Sequence, residues 1–293
     1  MLDELCRLDV ALIVVDTAAE ARGRAEARGV AVAPTVEEAA EHAVVDGWVV
    51  ATSATTHTQV LDTITRVWLP DARVFCEKPF TVDLASAERL AEVLGDRCSL
   101  GHVWRYHPGV ELLGALARDG AIGEVHGIRT TRANWTSPRT DTDTIWNMVP
   151  HDITIAIEIL GHIPEPRAAV VDGMPRALGM WALLGGDREP FLVVEATNRV
   201  ADKRREIRVH GRGGVAVLPD LEVDYVEVWR GERAAPDIER VPFTPLQPLR
   251  RELEIFVASL AGGAPPKSDA AEGVAVVRTI TQLRALAGLN NGP

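Results

Sequence analysis

Two stretches decide the fold: residues 46–67, DGWVVATSATTHTQVLDTITRV, and residues 72–80, ARVFCEKPF. Each opens on a stretch read as a buried strand, Asp46 to Thr52 and Ala72 to Cys76, with the unalternating apolar runs Trp48-Val49-Val50 and Val74-Phe75-Cys76 inside them. Each run ends in polar residues, Thr52-Ser53 and Glu77-Lys78, and the first leads into a helical stretch from about His57 to Val67. Strand, helix and strand in this order imply parallel pairing through a right-handed crossover.

The same rhythm extends outward. On the N-terminal side, Leu8 to Val15 is an apolar run ending at Asp16. Ala18 to Arg28 is rich in helix formers and stops at Gly29, and Thr35-Val36-Glu37-Glu38 has the spacing of a capping box. On the C-terminal side, Asp83 caps a helix to about Leu94, and Cys98 to Val103 is a further strand. The pattern then changes. A helix follows Pro108, a strand covers Glu124 to Ala133, and an apolar helix covers Trp146 to Leu160. Strand-like runs centre near Val170, Trp181, Val193, Ile207, Val217 and Val226, and two helices, Leu249 to Leu260 and Ala270 to Ala287, close the chain. The expected fold is α/β. Residues 1–103 form a Rossmann-like, doubly wound parallel sheet, and residues 104–293 form an α+β domain with a large, mostly antiparallel open sheet.

Composition narrows the function. The net charge of −11 argues against nucleic acid or an anionic membrane as partner. No apolar run reaches the ~18 residues of a membrane helix. The start, Met1-Leu2-Asp3-Glu4, lacks the basic flank of a secretory signal. Three cysteines, Cys6, Cys76 and Cys98, without metal-ligand spacing, suggest a reducing, cytoplasmic setting. Zinc-type histidine spacing and the HExxH, Walker and GxSxG patterns are absent, so no metal is expected.

Parallel sheets of this kind bind ligands outside the carboxyl ends of their strands. The residues at those ends are Asp16, Thr52-Ser53, Cys76-Glu77-Lys78-Pro79 and Trp104-Arg105. Asp16 suits either an adenosine ribose, favouring NAD over NADP, or the cap of the helix after it. Glu77-Lys78-Pro79 reads as a surface ion pair before a turn or as a proton-transfer site whose backbone Pro79 restricts. Only three of the 31 basic residues are lysines, Lys78, Lys203 and Lys267. A lysine kept in an arginine-dominated chain favours a task arginine does not perform, such as exchanging a proton. In Asn147-Met148-Val149-Pro150-His151-Asp152, the i to i+4 spacing puts Asn147 and His151 on one helical face. His151 is either a packed core histidine or an acid/base group. Gly211-Arg212-Gly213-Gly214-Val215-Ala216 matches a loose dinucleotide-loop pattern but is flanked by strands, and is read as a hairpin turn.

Four motifs in order resemble the Gfo/Idh/MocA family, named for glucose–fructose oxidoreductase and inositol dehydrogenase. They are Asp46 to Thr52 with Thr56-His57; Val74 to Phe80; Gly101-His102-Val103-Trp104-Arg105-Tyr106-His107-Pro108; and Ile145 to Ile153, leading to Leu160-Gly161. The resemblance implies hydride transfer between NAD or NADP and a carbohydrate, and a homo-oligomer, dimer or tetramer, built through the C-terminal sheet. It implies that Lys78 contacts the reacting hydroxyl, that Glu77 holds the nicotinamide ribose, and that His151 is a second acid/base group beside Asn147. Asp16, Thr52, Ser53, His57, Pro79 and Arg105 would line the cofactor path. The run from Arg139 to Asp152 looks most like members acting on nucleotide-linked or amino sugars, with Arg105, Asn134 and Arg139 as substrate contacts.

Three departures stand against the family pattern. Asn147 replaces the usual aspartate four residues before the histidine, Ser53 replaces a proline, and the opening strand and glycine-rich loop, due about 20 residues before Asp16, are missing. The expectation is a start codon upstream of Met1, with Met1 to Arg7 as the tail of the first helix. The alternatives are a cofactor-free homologue serving as a binding or assembly partner, and an NAD-using enzyme without net redox.

Overall fold

The computed structural model describes residues 1–67, 72–135, 141–173, 176–232 and 235–290. In chain order the elements are α1 (Leu2–Leu5), β1 (Ile13–Val15), α2 (Ala19–Glu26), β2 (Ala31–Ala33), α3 (Val36–His42), β3 (Gly47–Val50), α4 (His57–Val67), β4 (Arg73–Glu77), α5 (Leu84–Leu94) and β5 (Cys98–Gly101). Then follow α6 (Pro108–Arg118), β6 (Val125–Ala133), α7 (Thr144–Leu160), β7 (Pro166–Asp172), β8 (Gly179–Gly186), β9 (Glu189–Thr197), β10 (Arg204–Gly211), β11 (Val215–Leu218), β12 (Tyr225–Glu232), β13 (Ala235–Pro242), α8 (Pro248–Leu260) and α9 (Ala270–Leu286). The chain divides into two units. The first contains Met1–Thr81, Ala85–Gly101 and Leu249–Gly273, and the second contains Val82–Leu84, His102–Pro248 and Val274–Pro293. The expected single division at 103/104 left out one return: Leu249–Gly273 belongs with the first unit.

The first unit holds five parallel strands in two separate sheets, β1-β2 and β3-β4-β5. The two sheets correspond to the 3-2 and 4-5-6 parts of a Rossmann order 3-2-1-4-5-6. Among the described residues no ladder joins β1 to β3. The capping box at Thr35 forms, its Oγ1 accepting from Glu38 N at 3.1 Å. Leu5, Phe75, Leu253 and Phe256 make a buried cluster, with Met1, Leu8, Leu12 and Val49 packed against it. Phe75 and Phe256 meet at 5.6 Å, and burying each contributes about 1.5–3 kcal/mol. Gly47 lets α8 approach β3, since a Cβ there would lie 2.9 Å from Leu260.

The second unit is built on an eight-stranded sheet, β13-β12-β11-β10-β6-β9-β8-β7, antiparallel except for the β6–β9 pair. Alternation is visible along β8, where Met180, Ala182 and Leu184 are buried while Trp181 and Leu183 are exposed. α6 and α7 pack on the sheet. The loose glycine pattern at 211–216 is the β10–β11 hairpin, closed by Gly211 N donating to Gly214 O at 2.9 Å. Its glycines serve backbone packing: a Cβ at Gly211 would lie 2.3 Å from Ile122 O, and one at Gly214 would lie 2.6 Å from Trp229 O.

Two strands lay outside the sequence reading. β2 is only Ala-Val-Ala, too short for a periodic signal. β13, with a proline at its end and exposed along its length, is an edge strand without a buried face to betray it.

Candidate active site

In the first unit the polar groups gather at the carboxyl ends of β1, β3 and β4. Asp16 follows β1, and its Oδ1 accepts from Ala18 N at 2.8 Å, closing an Asx turn ahead of α2. Thr52 and Ser53 follow β3 and are exposed. His57, at the start of α4, is buried. Its Nδ1 lies 2.8 Å from Pro79 O and its Nε2 lies 3.2 Å from Thr52 O. A neutral imidazole carries one N–H, and the shorter contact with Pro79 has the stronger claim on it. Burial holds the pKa of His57 below its ordinary value, against the raising effect of these carbonyls and of Glu77. His57 thus fastens the β3 end to the Lys78-Pro79 turn. The ring that was expected to line a cofactor path is enclosed by backbone.

Glu77 closes β4 and is half-buried; its Oε2 accepts from Lys78 N at 3.2 Å. Its register partner is Gly101, where a Cβ would lie 3.2 Å from that oxygen. The glycine leaves Glu77 room to lie over the end of β5. Lys78 is half-buried and its peptide bond to Pro79 is cis. Cys76 Sγ lies 3.6 Å from His57 Nδ1, which has the look of a nucleophile–base pair. Burial pushes the Cys76 thiol well up, so it stays protonated and unreactive.

In the second unit His151 and Asn147 sit one turn apart on α7, both half-buried and both engaged by neighbours. The helix runs through Pro150 and is secured at both ends. Asp143 caps it, accepting from Ile145 N at 3.1 Å and Trp146 N at 3.2 Å, and pairs with Arg284. Gly161 ends it in the left-handed conformation, φ 81°. The His151 ring meets the Trp104 ring at 5.9 Å and 86°, edge to face. Arg105 bonds through Nε to Glu158 Oε2 at 3.2 Å. The arginine that was expected to meet cofactor or substrate is therefore engaged in holding α7. Asn134 follows β6, donating its backbone N–H to Thr197 O at 3.1 Å. Arg139 lies outside the described residues.

Near His151, Trp104 was named in the sequence reading only as a strand-end residue, and Arg132 and Asp152 were given no role. Arg132 Nε and Nη2 lie 3.4 and 3.5 Å from the Asp152 carboxylate, with side chains 6% and 1% exposed. Burial raises the pKa of Asp152, while Arg132 pulls it back down. The signal available was alternation in β6, which puts Arg132 in phase with Ile128 and Thr130 on the core face. A buried arginine needs a buried partner.

Among the described residues no cluster of His, Cys, Asp or Glu is arranged to hold a metal ion. Among them no helix is long and apolar enough to cross a membrane.

Residues 2–102 match the Gfo/Idh/MocA family model, described as an oxidoreductase family with an NAD-binding Rossmann fold. The matched stretch carries β1 to β5. The chain is similar in fold to UDP-N-acetylglucosamine 3-dehydrogenase from Acidithiobacillus ferrooxidans, with TM-score 0.82 and 22% identity over 97% of this chain and 92% of that one. It is similar also to levoglucosan dehydrogenase solved with NADH and levoglucosan, with TM-score 0.83 and 15% identity over 95% and 88%. An Agrobacterium radiobacter oxidoreductase solved with NAD+, L-tartaric acid and magnesium gives TM-score 0.81 and 14% identity over 94% and 88%. No curated protein matches the sequence.

Proposed function

We propose that the protein transfers a hydride between a nicotinamide cofactor and the hydroxyl or carbonyl carbon of a sugar, with nucleotide-linked sugars as the preferred class. The observation that carries this reading is the β4 rim: Glu77 and Lys78 stand at the carboxyl end of a parallel strand in a unit of an NAD-binding oxidoreductase family. The relative acting on UDP-N-acetylglucosamine supports the sugar class.

The residues present suit part of such a cofactor. Asp16 offers a carboxylate at a strand end, where a ribose diol is held. Glu77 is held in place by Lys78 N and given room by Gly101, which suits a second ribose. Asp16 also favours NAD over NADP, because a carboxylate repels a 2′-phosphate. Thr52, Ser53 and Pro79 complete the rim. When bound, the cofactor supplies the hydride acceptor or donor. Lys78 holds the substrate oxygen and moves its proton. His151 is the second acid/base group, with Asn147 orienting it by hydrogen bonding. Asn134 and Arg139 are substrate contacts. Arg105 acts on α7 through Glu158.

The test is NADH formation by the purified protein with NAD+ and UDP-N-acetylglucosamine. Lys78→Ala lowers kcat by about a hundredfold or more, the range of a general acid/base. A Lys78→Ala protein with wild-type turnover would remove Lys78 from the mechanism.

A second reading is a homologue that binds or assembles without a nicotinamide cofactor, favoured by Asn147, an amide that cannot take a proton, one turn before His151 on α7. Fluorescence titration with NADH and NADPH separates the two, since tight binding of either rules out the second.

We also infer a homo-oligomer through the C-terminal sheet. Its open face carries Arg129, Thr131, Glu195, Arg204, Glu206, Arg208 and His210 around a hollow of about 310 Å³, with Trp181 and Leu183 exposed on β8. Light scattering coupled to gel filtration gives the mass; a monomer at micromolar concentration would refute this.

A further inference from the structure

We propose that Trp104 is a positioning residue that fixes the plane of the His151 imidazole. The contacts form a closed loop. The His151 ring meets Trp104 edge to face at 5.9 Å. The Arg132 guanidinium carbon stands 5.3 Å from the centre of the same indole. Arg132 is bonded to Asp152, and Asp152 is the next residue after His151. The loop therefore starts and ends on consecutive residues of α7. Arg132 and Asp152 are too deeply buried to swing into solvent, so the guanidinium is a fixed plate for the indole.

The indole itself is placed by its ring and not by its polar atom. Trp104 Nε1 is buried and meets no acceptor among the described residues. A buried donor left unpaired carries a desolvation cost, which the contacts of the ring must offset. Tryptophan keeps that cost and presents a wide ring to His151, with His107 against it at 5.5 Å. Proton transfer needs a ring nitrogen aimed at the substrate oxygen. Rotating the His151 ring about its Cβ–Cγ bond would break the edge-to-face contact, so Trp104 restricts the motion that would spoil that aim.

Charged and ionisable groups around this ring come from each neighbouring element: Arg105 and His107 before α6, Arg132 on β6, and Asp152 and Glu158 on α7. The contacts of His107 suit its neutral form. Its Nδ1 accepts from Gly109 N at 3.1 Å, its Nε2 faces Leu221 O at 3.1 Å, and burial lowers its pKa.

The proposal rests on the reading of His151 as an acid/base group, and two measurements judge the two ideas separately. Indole emission is quenched by a protonated imidazole in contact with it. The difference in emission between wild type and Trp104→Phe should fall in acid, and the fall should vanish in His151→Gln and persist in His107→Gln. A difference spectrum unchanged by His151→Gln at every pH overturns the ring contact and with it the proposal. Turnover with NAD+ and UDP-N-acetylglucosamine supplies the second readout. Trp104→Ala should lose about ten- to a hundredfold in kcat with KM nearly constant, and Trp104→Phe should recover most of it. Wild-type kcat in both variants also overturns the proposal. Wild-type turnover in His151→Gln would instead refute the acid/base reading, while the emission titration still decides whether Trp104 holds the ring.

Discussion

At the rim of the first unit the polar groups are held by main chain. Glu77 accepts from the peptide N–H of Lys78, His57 spans two backbone carbonyls, and the space beside Glu77 exists because residue 101 has no side chain. Around α7 the polar groups are held by other side chains. Arg132 meets Asp152, Arg105 meets Glu158, Arg284 meets Asp143, and Trp104 lies between Arg132 and His151. The difference matters for failure. A rim built on main chain tolerates loss of a side chain with little loss of fold, whereas a buried ion pair that loses one partner strands the other in a medium that penalises lone charge.

The largest test of this contrast is Asp152→Ala. It leaves Arg132 buried with its carboxylate gone, and unfolding by urea should show a loss of about 3–5 kcal/mol. Lys78→Ala, on the rim, should leave the urea midpoint close to wild type while turnover collapses. A large stability loss there would show that the rim depends on side-chain contacts after all.

Gly101→Ala sharpens the comparison from the other side. The new methyl would stand 3.2 Å from Glu77 Oε2, so the carboxylate must give way by a few tenths of an ångström. Stability should fall by about 1 kcal/mol or less, and the Kd for NADH should rise several-fold, about 1 kcal/mol in binding. Unchanged NADH affinity would show that the placement of Glu77 is immaterial to the cofactor.

The buried histidine of the rim gives a pH test. The folded state keeps His57 neutral, below its ordinary value of 6.5, whereas the unfolded chain takes up a proton near that value. Its contribution is therefore complete above about pH 6.5 and is lost as pH falls toward the folded value. His107 and His210 are shifted the same way. Wild-type stability should decline from pH 7 to pH 5, and His57→Gln should flatten the slope by no more than about 1.4 kcal/mol per pH unit. An identical slope in the variant would place the titration elsewhere.

The smallest effect is expected at Lys203. It pairs with Glu222 on the surface, both exposed, and Lys203→Ala should change neither turnover nor the urea midpoint measurably. Against Lys78→Ala it separates a lysine of the rim from a lysine of the surface.

Much of this molecule is legible from local pattern. The unbroken apolar runs of β3 and β4, the capping box at Thr35 and the helix signals from His57 and Asp83 specify parallel strands whose ends bear Thr52, Ser53, Glu77 and Lys78. Such features depend on neighbours a few residues away, so they survive as periodicity and spacing. Residues far apart in the chain escaped that reading. Arg132 and Asp152 are twenty positions apart, and Asp143 and Arg284 are 141 apart. Nothing in local spacing pairs them. Gly101 looks like any strand-end glycine until β5 is laid beside Glu77.

The sequence by itself determined the order of elements and the chemistry available at each strand end, because these follow from runs of apolar residues and the polar residues that stop them. Only the tertiary structure decided which of those groups are free to act and which are already spent. His57 is bonded to the Pro79 carbonyl and Arg105 to Glu158, because packing brings to each a partner that its own stretch of chain does not contain.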